Sequence, residues 1–182
     1  MFRFFDFFIA LLGLILLCPL LVIIFLLSLF DTGSPIFIQT RVGKNKKTFK
    51  LIKFRTMTVG THSVASHLAS KTSITKFGSF LRKTKIDELP QLINVLKGDM
   101  SLVGPRPNLS NQKELIVERE NAGVYSVRPG ITGLSQVQNI DMSTPKLLAE
   151  TDRKMIETLT ECDYFRYIFM TATGRGGGDA VK

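Results

Sequence analysis

The chain has no tryptophan, two cysteines and two histidines in 182 residues. Cys18 lies in an apolar run and Cys162 far from it. There is no CxxC, and neither His62 nor His67 has a cysteine nearby, so neither a zinc site nor a disulfide framework is expected. The pattern suits a reducing compartment. The histidines read as surface residues. Gly43, Gly60, Gly104 and Gly133 form no GxGxxG or Walker pattern, and no Ser-His-Asp or Cys-His arrangement is visible. There is no internal repeat. The longest absence is of negative charge: Thr32 to Ile86 holds twelve Lys or Arg and no Asp or Glu.

What is present is an unequal division. Phe7 to Phe30 is 24 residues without a charge, about 36 Å as a straight helix and enough for a bilayer core. The run is too long for a signal peptide, and Phe30-Asp31-Thr32-Gly33 is no cleavage site. Pro19 stands at its centre. Proline removes a backbone hydrogen bond and kinks a helix, so the segment either spans once, kinked, or bends at Cys18-Pro19 and returns to the face it entered. The remaining residues carry all of the net charge of +9, since Arg3 and Asp6 cancel. A basic balance directly after an apolar segment points to a polyanionic partner, with an anionic lipid surface first and the cytoplasmic face favoured.

The soluble part reads as one core of mixed α/β character, mainly helical. Ile36–Gln39 and Phe49–Phe54 look like the strands of a hairpin with a basic loop at Val42–Lys47. Arg41, Lys44, Lys46, Lys47, Lys50, Lys53 and Arg55 form a cationic cluster, a solvated face or a headgroup contact, with Lys53 and Arg55 the best placed to point into a site. Met57–Thr72 is a loop or weak helix. Ile74, Phe77, Phe80 and Leu81 recur at helical spacing, with Lys76, Arg82 and Lys83 off the stripe, as in a helix resting on lipid or on the core. Asp87–Lys97 is expected to be a helix with Pro90 in its first turn and Gly98 as C-cap. Glu114–Ala122 and Leu147–Leu159 are further helices, Arg128–Gly133 a tight turn, Tyr164–Met170 an interfacial helix, and the glycine-rich end a flexible tail.

The residues with chemistry in them sit in KIDELPQLINVLKGDMSLVGPRP, Lys85 to Pro107. Asp87 and Glu88 are adjacent, so on a helix their side chains diverge by about 100° and hold different roles at one site. Helix N–H groups, Lys85 and Arg82 favour ionised carboxylates. An ionised Asp can attack phosphorus, and a neighbouring Glu can hold Mg²⁺ against a diphosphate. The bland alternative is that acidic residues simply favour helix starts. Arg106 lies between Pro105 and Pro107, which stiffen its backbone; a rigid guanidinium can grip a phosphate, or it is a solvated turn residue. Arg128 has a similar, weaker case.

This stretch resembles the signature of the bacterial sugar transferases, the monotopic phosphoglycosyl transferases. The similarity extends over PIFIQTRVGKNKKTFKLIKFRTM, ITKFGSFLRKTKIDELPQLINVLKGDMSLVGPRP and VRPGITGLSQVQ, nearly the whole chain, in the family's short form. The resemblance implies transfer of a sugar-1-phosphate from a UDP-sugar to polyprenyl phosphate, with release of UMP. It implies that Asp87 is the nucleophile and forms a covalent phosphosugar intermediate, and that Glu88, with Asp87, serves a Mg²⁺ site. Lys53, Arg55, Lys85, Arg106 and Arg128 are the substrate- and phosphate-binding candidates read from the residues, and the resemblance adds Asp152.

It further implies a re-entrant helix over residues 1–31 broken near Cys18-Pro19, a catalytic domain over 32–174 with interfacial helices, and a tail over 175–182. The place of action is the cytoplasmic face of a bacterial inner membrane. The partners are a UDP-sugar, polyprenyl phosphate and anionic lipid, with no nucleic acid and with homodimer formation left open. The chain departs from the family pattern at Cys18 (a serine there), at Gln138-Asn139-Ile140-Asp141 (in place of Asn-Gly-Arg) and at Met155 (the tyrosine of Asp-x-x-Tyr). Two rival readings are a membrane-anchored nucleic-acid binder and a non-catalytic lipid scaffold. The first lacks an aromatic RNA-binding signature.

Overall fold

A computed structural model describes residues 2–61 and 73–175; His62 and His67 lie outside the described residues, as do most of Met57–Thr72 and the glycine-rich end. The described residues fall into two compact units, one drawn from residues 2–39 and 50–96, the other from 40–49 and 97–175. The strands β1 (Ile36–Val42) and β2 (Thr48–Phe54) pair in a two-stranded sheet and contribute residues to both.

The first unit is organised around α1 (Arg3–Thr32). Its mean hydropathy reaches 3.2 over its most apolar window, so this helix is long and apolar enough to cross a membrane. Helical structure continues through Pro19, where a break was expected: one missing N–H removes one bond and the turns on either side close without it. One stripe of α1 is buried. Ala10 is buried, and a Cβ on Gly13 would touch the Leu92 side chain at 3.3 Å, so the helix lies close to α3 (Gln91–Lys97). Further along, Ile24 packs with Phe54 and Leu81, flanked by Leu20, Leu21, Ile36 and Phe77. At its start, Arg3 donates to the carbonyls of Val95 and Leu96 (2.5 and 2.9 Å), meeting acceptors that the last turn of α3 cannot meet itself. The opposite face of α1 is bare; Phe30 is 87% exposed.

The amphipathic stretch forms α2 (Lys76–Thr84). Thr75 caps it, accepting from the Gly78 N–H at 2.8 Å while its hydroxyl donates to Asp31 at 2.6 Å. Gly78 admits no side chain, since a Cβ there would lie 2.1 Å from the Thr56 carbonyl oxygen. Asn94 of α3 binds the backbone of β2 from both sides, accepting from the Ile52 N–H (3.0 Å) and donating to the Lys50 carbonyl (2.7 Å). A β-ladder edge is thereby satisfied by a buried amide.

In the second unit β3 (Ser101–Val103) and β4 (Gly130–Thr132) pair in parallel, Ser101 opposite Gly130 and Val103 opposite Thr132. The stretch read as a tight turn is therefore a strand. Its glycines serve close approach: a Cβ on Gly130 would fall 2.1 Å from the Gly104 nitrogen, and one on Gly133 would fall 2.6 Å from the Gly104 oxygen. Helices α4 (Lys113–Asn121), α5 (Leu134–Val137), α6 (Pro145–Thr158) and α7 (Glu161–Ala172) complete the unit. The expected helices match α4, α6 and α7; the one-turn α5 was not anticipated.

Candidate active site

The acidic pair lies in the first unit. It does not open a long helix as expected. Lys85 takes a left-handed backbone (φ 58°), Ile86–Glu88 winds as a 3-10 turn, and α3 begins only at Gln91. Pro90 has no N–H to donate and stands before the regular turns, which shortens the helix to seven residues. A seven-residue helix lends little dipole, so position rather than dipole sets this pair apart. Both carboxylates are enclosed: Asp87 is 2% exposed and Glu88 5%.

The donor set suits Mg²⁺, which takes one or two carboxylates and fills its octahedron with water and substrate phosphate oxygens. Among the described residues no cluster of three or more His, Cys, Asp or Glu offers an all-protein cage, which would instead suit a metal held without substrate.

The cations singled out in the sequence are placed differently from one another. Lys53 is buried, with its ammonium 5.8 Å from the Phe37 ring centre. Arg55 also stacks on Phe37 (5.3 Å) and donates to the Ser34 carbonyl at 2.8 Å and the Ile36 carbonyl at 3.3 Å. It thereby ties down the chain where it leaves α1. Arg82 donates to the Thr56 hydroxyl at 2.8 Å. The cationic cluster of the sequence is thus mixed: Lys44, Lys46 and Lys47 are exposed, Lys53 and Arg41 are buried. Cys18 is exposed on α1.

The second unit holds Arg106, Arg128 and Asp152. Arg128 is half-buried and donates to the Gly98 carbonyl at 2.8 Å. Asp152 is fully buried (0% exposed), with Oδ2 taken by Arg119 at 2.7 Å and Oδ1 by the Ser135 hydroxyl at 2.7 Å. Burial pushes its pKa above the usual carboxylate value, against the pull of Arg119 and Ser135. Tyr125 donates to Asn108 at 3.0 Å, and burial raises its pKa, so the phenol keeps its proton.

Arg119 and Ser135 were not among the sequence candidates. Arg119 sits in a run of charges, Glu118-Arg119-Glu120, which reads as a solvated face. The available signal was its spacing: it lies one turn after Leu115, and both are buried.

The residues matched by the family described as bacterial sugar transferase are 1–175. An uncharacterized sugar transferase of Bacillus subtilis, EpsL, is 46% identical over 126 residues, covering 68% of this chain and 62% of that one. A putative undecaprenyl-phosphate N-acetylgalactosaminyl 1-phosphate transferase of the same organism is 45% identical over 108 residues, 58% of this chain and 60% of its own length. The UDP-glucose:undecaprenyl-phosphate glucose-1-phosphate transferase of Xanthomonas campestris is 39% identical over 168 residues, 88% of this chain and 34% of the relative. The chain thus spans between about a third and three fifths of the length of these relatives. It belongs to the bacterial sugar transferase family.

Proposed function

We propose that this chain is a phosphoglycosyl transferase that moves a sugar-1-phosphate from a UDP-sugar to polyprenyl phosphate, of the undecaprenyl type named in its relatives, releasing UMP and starting the assembly of a surface glycan. The observation that carries the reading is the buried Asp87–Glu88 pair inside the family's signature stretch. Asp87 attacks the β-phosphorus of the donor. The bond from that phosphorus to the bridging oxygen breaks, and UMP departs with the electron pair. The result is an aspartyl-phosphosugar. An oxygen of polyprenyl phosphate then attacks the same phosphorus, and the Asp87 carboxylate leaves, giving the polyprenyl-diphosphate-sugar. Glu88, with Asp87, would hold Mg²⁺, which supplies charge neutralisation at the diphosphate. The turn that buries the pair keeps water from competing for the intermediate.

The docking of α1 along one unit supports a helix whose two ends stay on one side of the bilayer. Arg3 at one end and Leu20, Leu21 and Ile24 towards the other pack on the same unit, α3 at the start and β2 and α2 beyond. A single 30-residue span of about 45 Å would have to part these contacts to place its ends on opposite faces. The basic run after the helix favours the cytoplasmic face.

The test is UMP release by the detergent-solubilised chain from a panel of UDP-hexoses and UDP-N-acetylhexosamines, with undecaprenyl phosphate and Mg²⁺. Release from one donor, with a sugar-phosphate adduct on Asp87 in the absence of acceptor, is the expected result. Folded protein that releases no UMP from any donor contradicts the reading. Glu88→Gln should raise the Mg²⁺ concentration needed for half-maximal rate by about 10- to 100-fold. For topology, a cysteine at Phe2 in a Cys18→Ser, Cys162→Ser background should resist an impermeant thiol reagent applied to intact cells; labelling from outside overturns the one-face arrangement.

A further inference from the structure

Four consecutive carbonyls, those of Pro105, Arg106, Pro107 and Asn108, are each held by a donor of the second unit. Gly130 N–H donates to Pro105 at 2.9 Å, Arg119 Nη1 to Arg106 at 2.7 Å, Arg41 Nη1 to Pro107 at 3.1 Å and Val42 N–H to Asn108 at 2.9 Å. Pro105, Pro107, Asn108 and Leu109 are buried, and Arg106 alone in this run is only half so. The segment is therefore a rigid backbone in which Arg106 is the residue not fully enclosed.

Two of the four donors are buried guanidinium groups, which is a costly way to hold a loop. Arg119 is 1% exposed, and its Nε is buried with no hydrogen-bond partner among the described residues. Replacing a buried ion pair by apolar side chains is often neutral or stabilising, so Arg119–Asp152 is poorly explained as a stability device. Its geometry explains it better. One guanidinium reaches the Arg106 carbonyl and the Asn108 side chain (3.0 Å) with one nitrogen and Asp152 with another, and Asp152 is itself oriented by Ser135. A planar fork with several donors can do this, whereas a lysine ammonium meets only part of the set.

We infer that Arg119, oriented by Asp152 and Ser135, is a positioning residue for Arg106. It holds the backbone from which Arg106 reaches a phosphate group. The inference rests on the proposed phosphate-gripping role of Arg106, and it moves Asp152 from substrate contact to the support of that grip.

The test is a double-mutant cycle on the full chain in detergent, reading KM for the UDP-sugar, kcat and Tm for Arg119→Lys, Arg106→Ala and the pair. Arg119→Lys should raise the donor KM by about tenfold, the order of one lost charge-assisted hydrogen bond, with a smaller change in kcat. In the Arg106→Ala background it should raise KM no further. Independent, multiplying effects on KM overturn the inference. If Arg106→Ala alone leaves the donor KM unchanged while UMP is still released, the phosphate role of Arg106 falls and the inference with it, with the transferase reading intact. If Arg119→Lys does not fold, the apolar pair Arg119→Met, Asp152→Leu carries the same cycle. A purely structural ion pair would then restore Tm and donor KM together, which overturns the inference. Positioning predicts restored Tm with KM still raised.

Discussion

Asp87 and Asp152 are both buried aspartates, one in each unit, and they are buried in opposite company. Asp152 faces a guanidinium on one oxygen and a hydroxyl on the other, so its charge is answered inside the protein. Asp87 stands beside a second enclosed acid, Glu88, in a single 3-10 turn. Depth of burial therefore does not by itself tell what an acid does: Asp152 is deep in a hydrogen-bonded ion pair, and Asp87 is as deep next to another acid.

The sharpest test of that contrast is to remove one oxygen charge at each position. Asp87→Asn should lower UMP release by about 10⁴-fold or more, some 5 kcal/mol or more of barrier, in protein whose Tm shows that it is folded. A variant retaining full activity would end the nucleophile assignment.

The mirror case is Arg119→Met. It leaves a buried carboxylate unpaired and should cost about 3–5 kcal/mol of stability by chemical denaturation. The sign of its pH dependence follows from Asp152. The folded pKa is already raised, so the contribution is full below the ordinary aspartate value and declines as pH rises through the folded value. Losing Arg119 raises that pKa further. The deficit of the variant should therefore shrink towards acidic pH, as Asp152 takes up a proton. A deficit that grows on acidification contradicts the pairing.

Next in size is Gly130→Ala, which forces a methyl group against the Gly104 backbone and should cost about 1–3 kcal/mol or more, together with a raised donor KM as the Arg106 segment shifts. The smallest effect belongs to a region remote from either acid. Thr160 caps α7, accepting from the Asp163 N–H at 3.1 Å, and Thr160→Ala should cost about 1 kcal/mol with donor KM unchanged. Asp163 has a pKa lowered chiefly by the Thr160 hydroxyl, so its support of the cap is present above the ordinary aspartate pKa and fades as pH falls through the lowered value. The Thr160→Ala variant should lose that acid sensitivity in the unfolding curve of α7.

Local pattern carried much of this molecule. The apolar helix, the hairpin, α2 and α6 follow from patterns of apolar residues, α2 and α7 carry threonine caps, and α4 was legible only as a charged helix. What escaped it was tertiary. Gly130-Ile131-Thr132 has the turn residues of a loop, and only the distant Ser101–Val103 makes it a strand. Asp87 and Glu88 sit where a helix start is expected, but Pro90 delays regular winding to Gln91. Arg55 and Arg128 were read as phosphate-binding candidates, and each also donates a hydrogen bond to a backbone carbonyl. Charge says that a side chain can bind an anion; it does not say which peptide oxygens of the same chain it also serves. Arg119 was hidden for the converse reason, a partner set reached only when α4 folds against residues far along the chain.

The way α1 is docked reaches into protein engineering. A membrane tether can be cut away and replaced by any other greasy sequence, because nothing recognises it. Here Ala10, Gly13 and Ile24 fit named neighbours, and Arg3 terminates another helix. Truncation to a soluble fragment would strip Leu81, Phe54 and Leu92 of their cover, and a substituted anchor would arrive with the wrong shape. In this chain the apolar helix is mostly bare on one face and fitted to named neighbours on the other, so helix and fold are inherited as a single part.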